Sequence, residues 1–235
     1  MTLSPIRWTP AAVAAALALA ACGGAHRQEA VVSPQPKPAG QADIADIAKA
    51  KADSARYPYT EADVNFMSGM ISHHAQAIVM SGWAPSHEAD ASIRRLAERI
   101  INAQQDEIAT MQRWLRDRGQ PVPEASATGM KMKMGGVEHE MLMPGMLTED
   151  QMRQLDQARG PEFDRLFLTF MIQHHRGAVS MVRDLFGSRG AGQDETVFKF
   201  ANDVSVDQST EIARMEKMLA ASGSASSQQP TANSQ

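Results

Sequence analysis

Histidine and methionine recur in this chain at spacings that could bind a soft metal ion. Met70, His73 and Met80 fall on one side of a helix at about 100° per residue. Ala77 is the small residue between them, and His74 lies about a quarter turn away. Imidazole and thioether together suit Cu(I), and imidazole also suits Cu(II), whereas this pair is poor for Mg²⁺, Ca²⁺ and Mn²⁺. The pattern therefore predicts a copper site.

The same pattern occurs a second time, at an offset of 101 residues. Residues 63–81 read DVNFMSGMISHHAQAIVMS, and residues 164–182 read DRLFLTFMIQHHRGAVSMV. Each copy is followed by a second pair of matching segments, AQQDEIATMQRWL at 103–115 and DQSTEIARMEKML at 207–219. Two segments repeated in the same order indicate a duplicated helical hairpin. The second copy adds the candidate ligands Met171, His174, His175 and Met181.

The second segment of each half carries a glutamate and, four residues later, a methionine on the same helix face. These candidate ligands are Glu107, Met111, Glu211 and Met215. Each carboxylate could bind the metal directly, or it could accept a hydrogen bond from a histidine that does. The matching Gln104 and Gln208 are expected to hydrogen-bond inside the bundle.

The connection between the two hairpins is rich in methionine. Residues 130–146 read MKMKMGGVEHEMLMPGM, with six Met among 17 residues. Methionine usually fills cores, but no apolar periodicity accompanies it here, and no strand of useful length is expected anywhere in the chain. We predict a flexible loop that captures metal, with a loose hydrophobic flap over the bundle as the alternative. Its candidate ligands are Met130, Met132, Met134, His139, Met141, Met143 and Met146.

Composition and charge exclude several other classes of protein. Cysteine occurs once in 235 residues, which excludes an internal disulfide framework and any Cys-based zinc or iron–sulfur site. A net charge of −4 leaves no basic surface for nucleic acid. Methionine occurs 16 times. Because a thioether has no proton to lose, it can bind Cu(I) in an oxidising compartment where a free thiol would be oxidised.

Helix start and stop signals predict an all-α protein. The long helices are predicted at 60–83, 89–118, 161–187 and 194–219, with a short helix at 148–160. They form a ferritin-like four-helix bundle at 59–221, with the Met-rich connection at 120–147 joining the hairpins. A ferritin-type di-iron centre is disfavoured, because it needs Glu-x-x-His and no Glu here has a His three residues later.

The two ends of the chain have sequence patterns that differ from those of the bundle. Residues 1–22 have the layout of a secretory signal, and the tetrad LAAC at 19–22 resembles a bacterial lipobox, in which the cysteine is acylated. We therefore expect a protein of the periplasm or cell envelope that is anchored to the membrane only by lipid on Cys22. An ordinary cleaved signal is the alternative. Residues 23–58 are predicted to be a flexible tether, and residues 222–235 a disordered tail.

The doubled motif resembles the bacterial domain-of-unknown-function family 305. Phe-x₃-Met-Ile-x-His-His-x₂-Ala-x₂-Met occurs at 66–80 and 167–181, each time followed by Gln-x₂-Glu-Ile-x₂-Met. The resemblance covers about residues 60–219 and implies a ferritin-like bundle. Because some members are secreted or periplasmic copper-binding proteins linked to copper resistance, it also implies copper binding. The halves differ at 67–69 and 168–170, so they need not bind equally. The family's positions fall on Met70, His73, His74, Met80, Met171, His174, His175 and Met181.

These observations predict an extracytoplasmic copper-binding protein that sequesters or transfers Cu(I), and also Cu(II) or Ag(I). A copper donor or acceptor protein would be its partner. We expect no enzymatic activity. One alternative is a redox enzyme that oxidises Cu(I) or another small substrate at the same cluster, and another is a structural lipoprotein whose His and Met only pack. His26 and His87 are expected to have no role.

Overall fold

The structure, a computed structural model, describes residues 58–134 and 137–226, together with Ala48 and Ala52. The predicted signal peptide with Cys22 and most of the predicted tether lie outside these residues. Between residues 61 and 226 the chain forms five helices and one two-stranded sheet. In chain order they are α1 (Glu61–Gly82), α2 (Ala91–Asp117), β1 (Met130–Met134), β2 (Val137–Met141), α3 (Glu149–Gln157), α4 (Gly160–Gly187) and α5 (Glu195–Ser226).

Most helix boundaries follow the signals in the sequence. The Thr60 hydroxyl accepts a hydrogen bond from the Asp63 amide, and the Asp63 carboxylate accepts one from the Thr60 amide at 2.7 Å, which makes a capping box for α1. Pro161 lies in the first turn of α4. α5 continues to Ser226, beyond the predicted end near Leu219; residues 220–226 are alanines and serines with one glycine and no proline. The start of the predicted tail is therefore helical.

Two apolar clusters form the core. One joins the C-terminal half of α1 to the N-terminal half of α4 through residues such as Met80 and Phe167. The other joins the N-terminal half of α1 to the C-terminal half of α4 through residues such as Phe66 and Met181. α1 and α4 therefore run in opposite directions, with α2 packed on α1 and α5 on α4. The predicted bundle of two helical hairpins is confirmed. Within the described residues, no helix has the length and apolarity needed to cross a membrane.

The prediction that no strand forms is wrong for the connection between the hairpins. β1 and β2 pair antiparallel, with Met130 opposite Met141 and Met132 opposite His139. The signal is present in the sequence, since MKMKM at 130–134 alternates with the period of a strand and two glycines precede the next strand. It is only five residues long, which makes it easy to overlook beside long helical periodicities.

His87 has a structural role that the sequence analysis did not predict. Its side chain is buried, and Nε2 lies 2.8 Å from the backbone oxygen of Asp156 and 3.1 Å from its carboxylate. The ring stacks on Trp83 and contacts Phe163. His87 thus ties the turn after α1 to the end of α3, and a partner 69 residues away cannot be read from its local sequence.

Candidate metal centre

A layer of buried polar side chains separates the two apolar clusters. On each long helix it lies between residues of one cluster and residues of the other. Six of its members are at most 3% exposed: His73, His74, Gln104, His174, His175 and Gln208. Within the described part of the chain, nine of the eleven buried side-chain nitrogen and oxygen atoms without a hydrogen bond belong to these six. Because buried polar groups are normally paired, this concentration marks a candidate functional site.

The inner imidazoles of the layer are His73 and His174, one from each repeat. Their ring centroids are 3.8 Å apart, with the planes tilted by 40°. The pKa of His73 is lowered to about 3, first by burial and then by the neighbouring His74. The pKa of His174 lies well below its usual value, because of burial and then of His73. Both rings are therefore neutral at pH 7 and can offer a nitrogen lone pair without releasing a proton.

The outer imidazoles are His74 and His175, each beside a carboxylate from the partner helix of its own hairpin. His74 Nε2 lies 2.7 Å from Glu107 Oε2, and His175 Nε2 donates a hydrogen bond to Glu211 Oε2, also at 2.7 Å. Since a carboxylate accepts, His175 Nε2 carries a proton, and in the neutral ring Nδ1 has the lone pair; His74 Nε2 lies at the same distance from its carboxylate but makes no hydrogen bond. Of the two roles left open for these glutamates, the geometry supports the orientation of a histidine.

Thioethers border the imidazoles on both sides of the layer. Met70 lies one helical turn before His73 and His74, and Met171 has the same relation to His174 and His175. The predicted helix methionines are all buried and pack in the two apolar clusters, so a packing role is certain for each of them. They are Met70, Met80, Met111, Met171, Met181 and Met215.

The donor set decides which metal ion could fit. Among the described residues, no three imidazole, carboxylate or thiol groups are arranged to hold a metal ion by themselves. A site in the layer would therefore combine imidazoles with the neighbouring thioethers. That combination suits Cu(I), and it leaves hard cations such as Mg²⁺ or Ca²⁺ without the oxygen ligands that they require.

The Met-rich connection divides into a part that reaches the layer and a part that does not. Met143 packs against Gly69 on α1, where an added Cβ would lie 2.9 Å from the Met143 sulfur. Met146 is buried, and its sulfur accepts a hydrogen bond from the Met143 amide at 3.3 Å. Met141 is 43% exposed. The prediction of a flexible loop is wrong for 143–146, which packs on the bundle. The side chains of four predicted ligands lie outside the described part: Met130, Met132, Met134 and His139.

An acidic groove of about 550 Å³ runs between α2 and α5, is lined by six acidic and three basic side chains, and reaches Glu107 beside His74. Glu107 lines this groove with Asp203 and Asp207, and its side chain is 22% exposed. The pKa of Asp207 is raised by partial burial and then by the charges of Glu107, Asp203 and Glu211. Carboxylates close enough to repel one another attract cations, and Glu107 brings that negative potential into contact with His74.

The doubled histidine motif and the bundle that carries it have counterparts in known proteins. Residues 63–219 match the family described as Domain of unknown function (DUF305). The chain belongs to this family. The resemblance inferred from the motif is thereby confirmed, and the match includes all four helices that build the polar layer.

Solved structures of DUF305 proteins share this fold. A family member from Streptomyces coelicolor, named as a candidate secreted protein, is 30% identical, with a TM-score of 0.57 over 69% of this chain and 94% of its own. CopM in the Cu(II)-bound form is 28% identical, with a TM-score of 0.52 over 67% of this chain and 95% of its own. CopM in the Cu(I)-bound form is 27% identical, with a TM-score of 0.50 over 66% and 94%.

A shorter sequence match comes from a virus. An uncharacterized protein of Acanthamoeba polyphaga mimivirus is 43% identical over 56 residues, which are 24% of this chain. The match spans 37% of that protein's length.

Two kinds of residue in the layer were not predicted as part of the site. Gln104 and Gln208 were expected to find hydrogen bonds in the bundle, yet the Gln208 amide and the Gln104 oxygen have none. Their recurrence in both repeats is the sequence signal that could have marked them. The backbone oxygen of Pro144 lies 3.0 Å from His73 Nε2. A contact with a backbone carbonyl cannot be predicted from the types of the residues.

The burial of the inner imidazoles predicts a pH dependence for the metal-free protein. In the unfolded chain His73 and His174 bind protons below about pH 6.5, whereas in the folded chain they stay neutral until near pH 3 for His73. Stability should therefore be complete above pH 6.5 and should fall by about 1.4 kcal/mol per pH unit for each ring as the pH drops. Urea unfolding at several pH values measures this slope.

The double variant His73→Gln, His174→Gln supplies the comparison, because the carboxylates titrate equally in both proteins. Its unfolding free energy should depend less on pH between 6.5 and 4. An equal slope in the two proteins would show that the inner rings take up protons in the folded state over the same pH range as in the unfolded chain.

Proposed function

We propose that this protein binds copper outside the cytoplasm and sequesters or transfers it, mainly as Cu(I) and also as Cu(II). The observation that carries the proposal is the pair of neutral, buried imidazoles of His73 and His174, 3.8 Å apart in a layer bordered by thioethers. CopM, a structural neighbour, has been solved with each of these copper ions bound. The donor chemistry and the neighbour support the same cargo.

Copper fits this layer better than zinc or iron would. All of the nitrogen donors are imidazoles, the sulfur donors within one turn of them are thioethers, and residues 58–226 contain no cysteine. Thioethers favour the softer Cu(I), while imidazoles accept both oxidation states. An oxidising compartment removes thiols but leaves thioethers able to bind, which accounts for the abundance of methionine.

We favour binding over catalysis because the four imidazoles are fully buried. A metal ion can exchange between such ligands when side chains rearrange, whereas a larger substrate would need an open cleft at the same place. The acidic groove reaches Glu107, whose partly exposed carboxylate can pass a cation inward to His74.

A titration of the bundle tests copper binding. Residues 59–226 should bind Cu(I) in a competition assay with a chromogenic chelator, and His73→Ala with His174→Ala should remove the tightest site. Copper at about 100 times its dissociation constant should stabilise the wild type by roughly 2.7 kcal/mol. Met152→Leu, which alters only a partly buried packing residue, is the matched control.

Equal affinities for the wild type and the double histidine variant would refute the proposal. Oxygen consumption that depends on catalytic amounts of copper would favour the redox enzyme instead. No stabilisation by copper would leave the histidines and methionines with a packing role only.

The glutamates give a second prediction. If Glu107 and Glu211 orient the outer imidazoles, Glu107→Gln and Glu211→Gln should each weaken Cu(I) binding by about 10- to 100-fold without unfolding the bundle. The same chelator competition measures this. Glu98→Gln, at an exposed position of α2, should bind like the wild type. Wild-type affinity in both layer variants would mean that the carboxylates do not act on the site.

We also propose that the protein is held at a membrane of the cell envelope by lipid on Cys22. The tetrad LAAC at 19–22 supports this, as does the Streptomyces coelicolor relative named as a candidate secreted protein. Expressed in a bacterium, the full chain should partition with membranes and incorporate labelled palmitate, whereas Cys22→Ala should do neither. Unchanged partitioning of Cys22→Ala would contradict the anchor and would leave copper binding untouched.

A further inference from the structure

Residues 143–147, here called the strap, cross the seam between α1 and α4 beside the inner imidazoles. The Pro144 oxygen lies 3.0 Å from His73 Nε2 on one side of the seam. On the other side it lies so close to α4 that a Cβ added at Gly177 would be 1.9 Å from it. Gly145 has φ +80, and a Cβ there would be 2.7 Å from the Gly177 Cα. The strap backbone therefore needs glycine at both positions.

Side chains from both helices hold the strap in place. The buried Gln76 amide donates to the backbone oxygens of Leu147 and Ala127, both at 3.0 Å, and its oxygen accepts from the Leu147 amide at 2.6 Å. Gln173 donates to the Gly145 oxygen at 3.3 Å. Gln76 thus satisfies both backbone groups of one strap residue, which makes it the main anchor.

The strap breaks the equivalence of the two repeats. At the offset of 101, Gln76 aligns with Gly177, so the anchoring side chain of one half is replaced in the other by the glycine that makes room for Pro144. Gly69, against which the Met143 sulfur packs, aligns with Phe170. The repeats therefore keep the same histidines but differ at the positions that contact the strap.

In its packed position the strap lies against His73 and fixes its tautomer. Since a carbonyl oxygen only accepts, the proton of neutral His73 is on Nε2, and Nδ1 carries the lone pair. The Met146 sulfur accepts the Met143 amide within the strap. Neither ring nitrogen of His174 has a hydrogen bond.

We propose that the strap gates copper loading and that Gln76 is the positioning residue that keeps it closed. This inference rests on the proposed function. Movement of the strap away from the seam breaks the contact between Pro144 and His73 Nε2 and uncovers the inner imidazoles, which are fully buried. The free nitrogen lone pairs of His73 and His174 then become accessible to Cu(I). Closure after loading restricts escape of the ion, so the strap slows both association and dissociation.

Gln76→Ala tests the gate, with Gln120→Ala as the matched control. Gln120 donates one hydrogen bond to Tyr59 at 3.1 Å and does not contact the strap. In the metal-free protein, we expect Gln76→Ala to speed hydrogen exchange of the Met146 amide, which donates within the strap to Met143, by at least tenfold. Nitrogen NMR should show His73 losing its fixed Nε2–H tautomer. Gln120→Ala should change neither.

Stopped-flow mixing with Cu(I), delivered by a weak chelator, tests the consequence. Association and dissociation should both be at least tenfold faster in Gln76→Ala, with the equilibrium affinity changed by less than about threefold. Gly177→Ala, which displaces Pro144 without touching Gln76, should also load faster; if it does not fold, Gln76→Ala still decides the question.

The failures of the two proposals can be distinguished. Faster exchange of the strap amides with wild-type loading rates would overturn the gate and leave copper binding intact. Unchanged exchange in Gln76→Ala would overturn the role of Gln76. If the wild type binds no copper, the proposed function fails, while the exchange and tautomer measurements report on the strap alone.

Discussion

The burial of four imidazoles between two apolar clusters is the constraint on which the rest of this structure depends. Leaving a buried polar group without a hydrogen bond costs about 1–3 kcal/mol, and the layer holds nine such atoms. Apolar residues at these positions would give a more stable bundle. The clusters on either side offset the cost by burying large side chains such as Phe163 and Phe167 completely. The layer thus lowers the stability of the bundle, which is the expected cost of a buried ligand site.

The chemical groups of the layer change between the solvent and its centre. Carboxylates line the groove between α2 and α5, Glu107 and Glu211 contact both solvent and an outer imidazole, and the inner imidazoles lie beyond. Acidic side chains outnumber basic ones by six to three in the groove, whereas the donors at the centre are imidazoles and thioethers. A hydrated cation is therefore attracted where water is available, and it meets soft donors only where water is excluded. The gradient favours a metal ion that exchanges water for nitrogen and sulfur readily.

Much of this arrangement could be predicted from the sequence, because the repeat and the helix signals act locally. The four long helices, their pairing into hairpins and the burial of the repeated histidines and methionines all follow from spacing. What could not be predicted depends on contacts between distant residues. The partner of His87 is 69 residues away, and the partner of His73 Nε2 is a backbone oxygen 71 residues away. The short hairpin was missed because five alternating residues carry little signal beside four long helices.

The duplication also explains why the centre is asymmetric. Two copies of one hairpin can supply equal sets of ligands, but a single chain has only one connection between them. That connection crosses the seam of α1 and α4 once. A residue of one repeat that contacts it therefore has an equivalent residue in the other repeat that does not make the same contact. Gln76 and Gly177 are such a pair: one anchors the strap, and the other has no side chain because the strap lies there. The ligands could stay repeated only if the residues around the strap diverged.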